Sequence, residues 1–138
     1  MNPNYTHTIT LYSRIKAEDT KDRKERWIRT VLPSCFWKNK IVTEFSGTQA
    51  SAANTYIVRI PENPNYRKYR DFIKAPESCF TVSQDDIVIL GECAEEITGK
   101  PGQTAVQVLS RNKPDAFKVT AFSNNTSFPQ ARHYRLGG

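Results

Sequence analysis

The sequence predicts a mainly β protein, a small β-barrel or sandwich of about seven short strands with one short helix. Three observations carry this. Apolar and polar residues alternate in several short runs, the period-2 mark of half-buried strands. Gly, Pro, Asn and Asp punctuate the chain between those runs. Only one segment, after Pro101-Gly102, has apolar residues at helical spacing.

Residues 7–14 alternate, with Ile9 and Leu11 on one face and Thr8, Thr10 and Tyr12 on the other. Residues 16–24 have no apolar period and read as an exposed hairpin tip. Residues 25–32 are strand-like again, with Trp27 and the β-branched Ile28, Thr30 and Val31. Pro33 interrupts them, which predicts a bulge or edge bend before Cys35, Phe36 and Trp37 resume the run. Residues 41–46 alternate. The next eight, Gly47, Thr48, Gln49, Ala50, Ser51, Ala52, Ala53 and Asn54, are small, polar and uncharged. They read as a long soft loop between residues 41–46 and a strand at 55–60, longer than the usual hairpin connection. Pro61 and Pro64 end that strand and open an excursion over residues 61–80, irregular or briefly helical. A short strand is expected at 79–82 and a turn at Asp85-Asp86. A buried strand at 87–90 then ends at Gly91. Ala105, Val106, Val108 and Leu109 suit a short amphipathic helix, stopped by Lys113-Pro114-Asp115. Phe117, Val119 and Ala121 alternate as a strand. Asn124-Asn125 is a turn, and residues 132–136 pair back as the last strand.

A chain of 138 residues fits one domain. It can bury on the order of two thirds of its surface, so no disulfide or metal staple is required. Three cysteines cannot all pair, and no secretory leader is read before them, so a reducing compartment is expected. No apolar run approaches a membrane span. The net charge is +6, from 20 Lys+Arg against 14 Asp+Glu. It is unevenly placed: residues 85–96 hold five acids and no base, between basic stretches on either side. Alternating patches suit head-to-tail contact between copies at least as well as nucleic-acid binding.

No catalytic, cofactor-binding or metal-binding set emerges. Cys35, Cys79 and Cys93 lack the close spacing of zinc ligands and read as small apolar residues. Asp85 and Asp86, with Glu92, Glu95 and Glu96 nearby, read as a turn and the exposed side of a strand. There is no Gly-rich phosphate loop, helical His pair or nucleophile elbow. The stretch Tyr66, Arg67, Lys68, Tyr69 and Arg70 has two readings. Its cations can neutralise phosphates while its rings stack on bases, or the rings can pack on the barrel while the cations stay in water.

The order of features is familiar. Thr8-Ile9-Thr10-Leu11-Tyr12 is followed by a charged tip and by Arg26-Trp27-Ile28-Arg29-Thr30-Val31-Leu32, then Phe36-Trp37. Asp86-Ile87-Val88-Ile89-Leu90-Gly91 comes later, and the end is His133-Tyr134-Arg135-Leu136-Gly137-Gly138. This resembles a family of uncharacterised prophage proteins encoded among head and head–tail joining genes. The layout is also similar to the head-completion, or stopper, proteins of long-tailed phages. The resemblance implies a structural virion protein, not an enzyme, in a neck ring of six copies between the portal and adaptor and the tail terminator. It implies assembly in the host cytoplasm, no membrane and no cofactor. It also places residues 47–54 where stopper proteins carry a loop into the channel that helps retain DNA. Two alternatives stand beside it: a nucleic-acid-binding small barrel, and another tail-end or capsid-joining virion part.

Overall fold

The computed structural model describes residues 5–46, 49–127 and 132–138, with the backbone course alone described over 42–46 and 49–53. Seven antiparallel strands form one curled sheet. They are β1 (His7–Ile15), β2 (Arg26–Ser46), β3 (Gln49–Pro61), β4 (Ile87–Leu90), β5 (Ala116–Lys118), β6 (Ala121–Asn124) and β7 (His133–Gly137). The helices are α1 (Tyr69–Phe72), a single turn, and α2 (Ala105–Asn112). Strand order is β5-β4-β1-β2-β3-β7-β6. The mainly β barrel-like class expected from the alternation is the one found.

The long strand β2 joins the two halves of the sheet. Its first part pairs with β1 from Ile15↔Arg26 to His7↔Cys35, and its second with β3 from Phe36↔Arg59 to Ser46↔Gln49. Between them Ile9 pairs with Leu32 but His7 with Cys35, so β2 carries one extra residue at Pro33-Ser34. Ser34 adopts φ 58°, a left-handed conformation that bends the strand there. The bulge expected at Pro33 is therefore the corner of the barrel.

The ends of the sheet order are consecutive in the chain. Only Val119 and Thr120 separate β5 from β6. Val119 bonds to the β4 side, its N–H to the Asp86 carbonyl at 2.7 Å and its carbonyl to the Asp85 N–H at 2.8 Å. The next N–H, of Thr120, bonds to the Gly137 carbonyl of β7 at 2.9 Å. One segment thus serves both edges, and the single strand expected over residues 117–121 is split by this change of partner.

Alternation sorts the side chains into two cores. The barrel interior takes Ile9, Leu11, Leu32, Trp37, Tyr56, Val58, Val88, Phe117, Val119 and Leu136, all buried. Trp37, Tyr56 and Phe117 meet there, with the Tyr56 and Phe117 rings stacked at 4.8 Å between centroids. The opposite face of β1, β4 and β5 offers Tyr12, Ile87, Ile89 and Ala116, covered by Val108 of α2 and by Ile97. This is why residues 87–90 read as apolar on every position: β4 is buried on both faces. Helix α2 starts after Thr104, with a capping box between Thr104 and Gln107 that the sequence reading, anchored on Pro101-Gly102, did not single out.

Two expectations are corrected. Residues Gln49, Ala50, Ser51, Ala52, Ala53 and Asn54 are not a loop but the start of β3, paired with β2 at every position from Ser46↔Gln49 to Ile41↔Asn54. Gly47 and Thr48 lie outside the described residues. Small uncharged residues have weak strand preference, but a ladder supplied by a neighbour overrides it. Residues 79–82 form no strand. Phe80 makes an isolated bridge to Tyr66, and Phe80, Thr81 and Val82 are buried as irregular chain.

Candidate functional site

The basic–aromatic stretch turns its rings inward. Tyr66 packs against Tyr134 at 4.4 Å, Phe80 at 5.9 Å and Phe122 at 6.1 Å between centroids, closing one end of the barrel. Burial pushes its hydroxyl pKa up, with Tyr134 adding to the effect. Tyr69 tethers the hairpin tip between β1 and β2. Its hydroxyl accepts from the Lys16 N–H at 3.0 Å and donates to the Asp19 carboxylate at 2.6 Å, while the Lys16 ammonium sits 5.6 Å from the ring centre. Desolvation, then Asp19, hold that hydroxyl above the usual range. Arg67 donates to the Pro64 and Tyr66 carbonyls at 2.6 and 2.7 Å, folded back on its own turn. Lys68 and Arg70 are exposed. The stretch therefore presents cations without a stacking platform.

The second feature is an arm. Past His7↔Cys35, no strand pairs with the outer edge of β2 among the described residues. Likewise β7 covers β3 only over Ile57–Pro61. Residues 38–46 and 49–55 thus have free outer edges, and 40–46 with 49–55 form a ribbon of two strands alone, about 24 Å long at roughly 3.4 Å per residue. Where the ribbon leaves the barrel, Ile41 is 69% exposed on the face that carries Trp37 into the core. An isolated hairpin is marginally stable in water, and its free edges are templates for another strand.

The third feature is a basic outer face. Strand register places Phe36, Arg59, Arg135 and Ser123 in one row across β2, β3, β7 and β6. Lys38 and Lys40 follow on the same face of β2. The Arg59 guanidinium lies 5.2 Å from the Phe36 ring centre, and Phe36 in turn packs on Tyr5 at 6.3 Å. The Nε of Arg59 is buried and has no hydrogen-bond partner. Among the described residues of these strands from Phe36 through Ile60, and of β6 and β7, the one Asp or Glu is Glu44, near the far end of β2 opposite Ser51 and away from the Arg59–Arg135 row. The sequence reading missed this set because its members are far apart in the chain. The signal was the strand period itself: Arg59 alternates with Val58 and Ile60, and Arg135 with Tyr134 and Leu136.

The acidic block does not form an opposing free patch. Asp85 pairs with Arg14 at 4.0 Å, Glu92 with Arg29 at 3.9 Å and Glu95 with Arg111 at 2.7 Å. Hydrogen bonds from Asn112 and Arg111 hold the Glu95 carboxyl below its usual range. Asp86 is fully buried as an anchor of the turn before β4. Among the described residues no group of three or more His, Cys, Asp and Glu could hold a metal ion. No helix among them is long and apolar enough to cross a membrane.

These features define a small antiparallel β-barrel protein with a paired-strand arm and a basic face beside it. By sequence the chain belongs to a family of unknown function, DUF6751, whose family model matches residues 4–138. No curated protein and no solved structure matches it.

Proposed function

We propose that the protein is a structural, non-enzymatic subunit of the head–tail interface of a tailed phage. It would assemble as a neck or stopper ring, joining portal and adaptor to the tail and helping to retain DNA. The observation that supports assembly is the arm formed by residues 38–46 and 49–55, whose two outer edges lack a strand neighbour. A ribbon this long gains most when another chain completes its ladder or covers its apolar face. The order of motifs shared with the prophage family supports the location in the virion, and the resemblance to stopper proteins supports six copies.

The test is removal of the arm at a paired position. Replacing residues 42–53 by Asn-Gly joins Ile41 to its partner Asn54 through a two-residue hairpin turn and leaves the barrel pairs in place. Light scattering on the purified protein is expected to show an oligomer for the native chain and a folded monomer for the trimmed one. A trimmed chain that keeps the native oligomer would refute the arm's role. A native chain that stays monomeric at high concentration and in assembled particles would refute the ring.

A further inference from the structure

We infer that the outer face of β2, β3 and β7 binds the phosphate backbone of a nucleic acid, with Arg59 and Arg135 at its centre and Lys38 and Lys40 extending it. The site adjoins the arm, whose root carries Lys38 and Lys40, but it is centred on the barrel strands β3 and β7. It also differs from the Tyr66–Arg70 stretch that the sequence brings forward.

The geometry carries the inference in three steps. Arg59 and Arg135 are directly opposite on neighbouring antiparallel strands. Like charges at such positions repel and destabilise the sheet. Several other arginines have acidic partners: Arg14 pairs with Glu25, Arg26 with Glu77 and Arg29 with Glu92. The row Phe36, Arg59, Arg135 and Ser123 offers none. An anion lying across the row would turn the repulsion into a shared attraction.

The face is also preorganised for one. The Arg59 guanidinium lies over Phe36, which packs on Tyr5, so its fork loses less freedom on binding than that of an unsupported side chain. Its buried Nε is a donor that no protein atom accepts, and such groups are rare in a folded interior. Beside Arg135, a shallow open hollow of about 460 Å³ is lined by Ile57, Ala121, Ser123 and Gly137. The hollow leaves room for a backbone phosphate beside Arg135.

Its chemistry favours a nucleic acid over a second protein chain. Protein interface cores are depleted in charge and in Lys. Here four cations lie on one open face, with two on neighbouring strands and two more spaced along β2. Rows of Arg and Lys that follow a surface are the signature of backbone contact, which fixes position without reading sequence.

The experiment is anisotropy of a labelled DNA duplex with the full chain, over about 50 to about 200 mM salt. The native protein is expected to bind with a steep inverse dependence on salt. The pair R59Q/R135Q should lower the log–log slope by about 1.8, at about 0.9 per phosphate contact, and weaken binding about tenfold or more at the low-salt end. The pair R67Q/R70Q should keep most of the slope. R135Q alone, at an exposed position, should lower it by about 0.9 with a thermal melt no lower than that of the native chain, which separates binding from folding. No binding by the native chain at low salt overturns the inference. So does a slope carried by Arg67 and Arg70. If R59Q/R135Q binds DNA normally but loses self-association, the face meets carboxylates of a second copy, and the inference also fails.

Discussion

Asp86 gives the sharpest energetic test of how the barrel is held. Its side chain is fully buried. One carboxylate oxygen accepts the Arg14 N–H at 2.9 Å and the other the Ser83 N–H at 2.8 Å. Burial nevertheless pushes its pKa up to about 7, against the pull of those two N–H groups and of Arg14. A raised carboxyl pKa means that the native state keeps a proton the unfolded chain has already released. Between about pH 4 and about pH 7, stability therefore falls as pH rises. A shift of about three units corresponds to about 4 kcal/mol in all, of which more than half falls between pH 5 and 8. Asp22 and Glu95, both held below their usual range, complete their titration under this window. Asp86→Asn removes the titration. Its amide oxygen can keep one N–H partner while its NH2 faces the other, an offset of about 1–3 kcal/mol that does not vary with pH. Urea unfolding followed by Trp27 and Trp37 fluorescence should show native stability declining from pH 5 to 8 and the variant flat. A native profile without that decline, or a variant that keeps it, would falsify the assignment.

Two further outcomes follow from the same packing. Cys35 is fully buried and its thiol is pushed up to about 12, whereas Cys79 and Cys93 are half-buried. A thiol reagent should label Cys79 and Cys93 in the native protein and reach Cys35 only on unfolding; equal rates at all three would contradict the burial. Tyr69→Phe removes the hydroxyl shared by Lys16 and Asp19. It should cost about 1 kcal/mol and speed tryptic cleavage at Lys21, Arg23 and Lys24, and an unchanged cleavage rate would rule out the tether.

Strand β1 was legible because Ile9 and Leu11 alternate with Thr8, Thr10 and Tyr12. The spacing of Ala105, Val106, Val108 and Leu109 likewise marked α2. That the second face of β1 is buried as well was not evident, since Thr10 is polar there and is satisfied by the Gly91 carbonyl. The start of β3 was not legible. Residues 49–54 carry neither bulk nor alternation, and their strand conformation comes from pairing with β2, a non-local cause. The candidate site divides the same way. Tyr66-Arg67-Lys68-Tyr69-Arg70 stands out in the sequence because its members are adjacent, yet both tyrosines are structural. Arg59 and Arg135 are 76 positions apart, and only the β3–β7 register brings them together.

The hand-off at Val119-Thr120 has a consequence for how the molecule comes apart. An open sheet sheds its outermost strand first, since that strand has one neighbour. Here the outermost strands are two halves of one short segment, so β5 cannot peel from β4 without drawing β6 away from β7. Local fraying at the seam is converted into a concerted event that must break hydrogen bonds to Asp85, Asp86 and Gly137 together. Strands β2 and β3, which carry the arm, lie in the middle of the sheet order, so the arm is rooted away from both outer strands and from the seam that joins them.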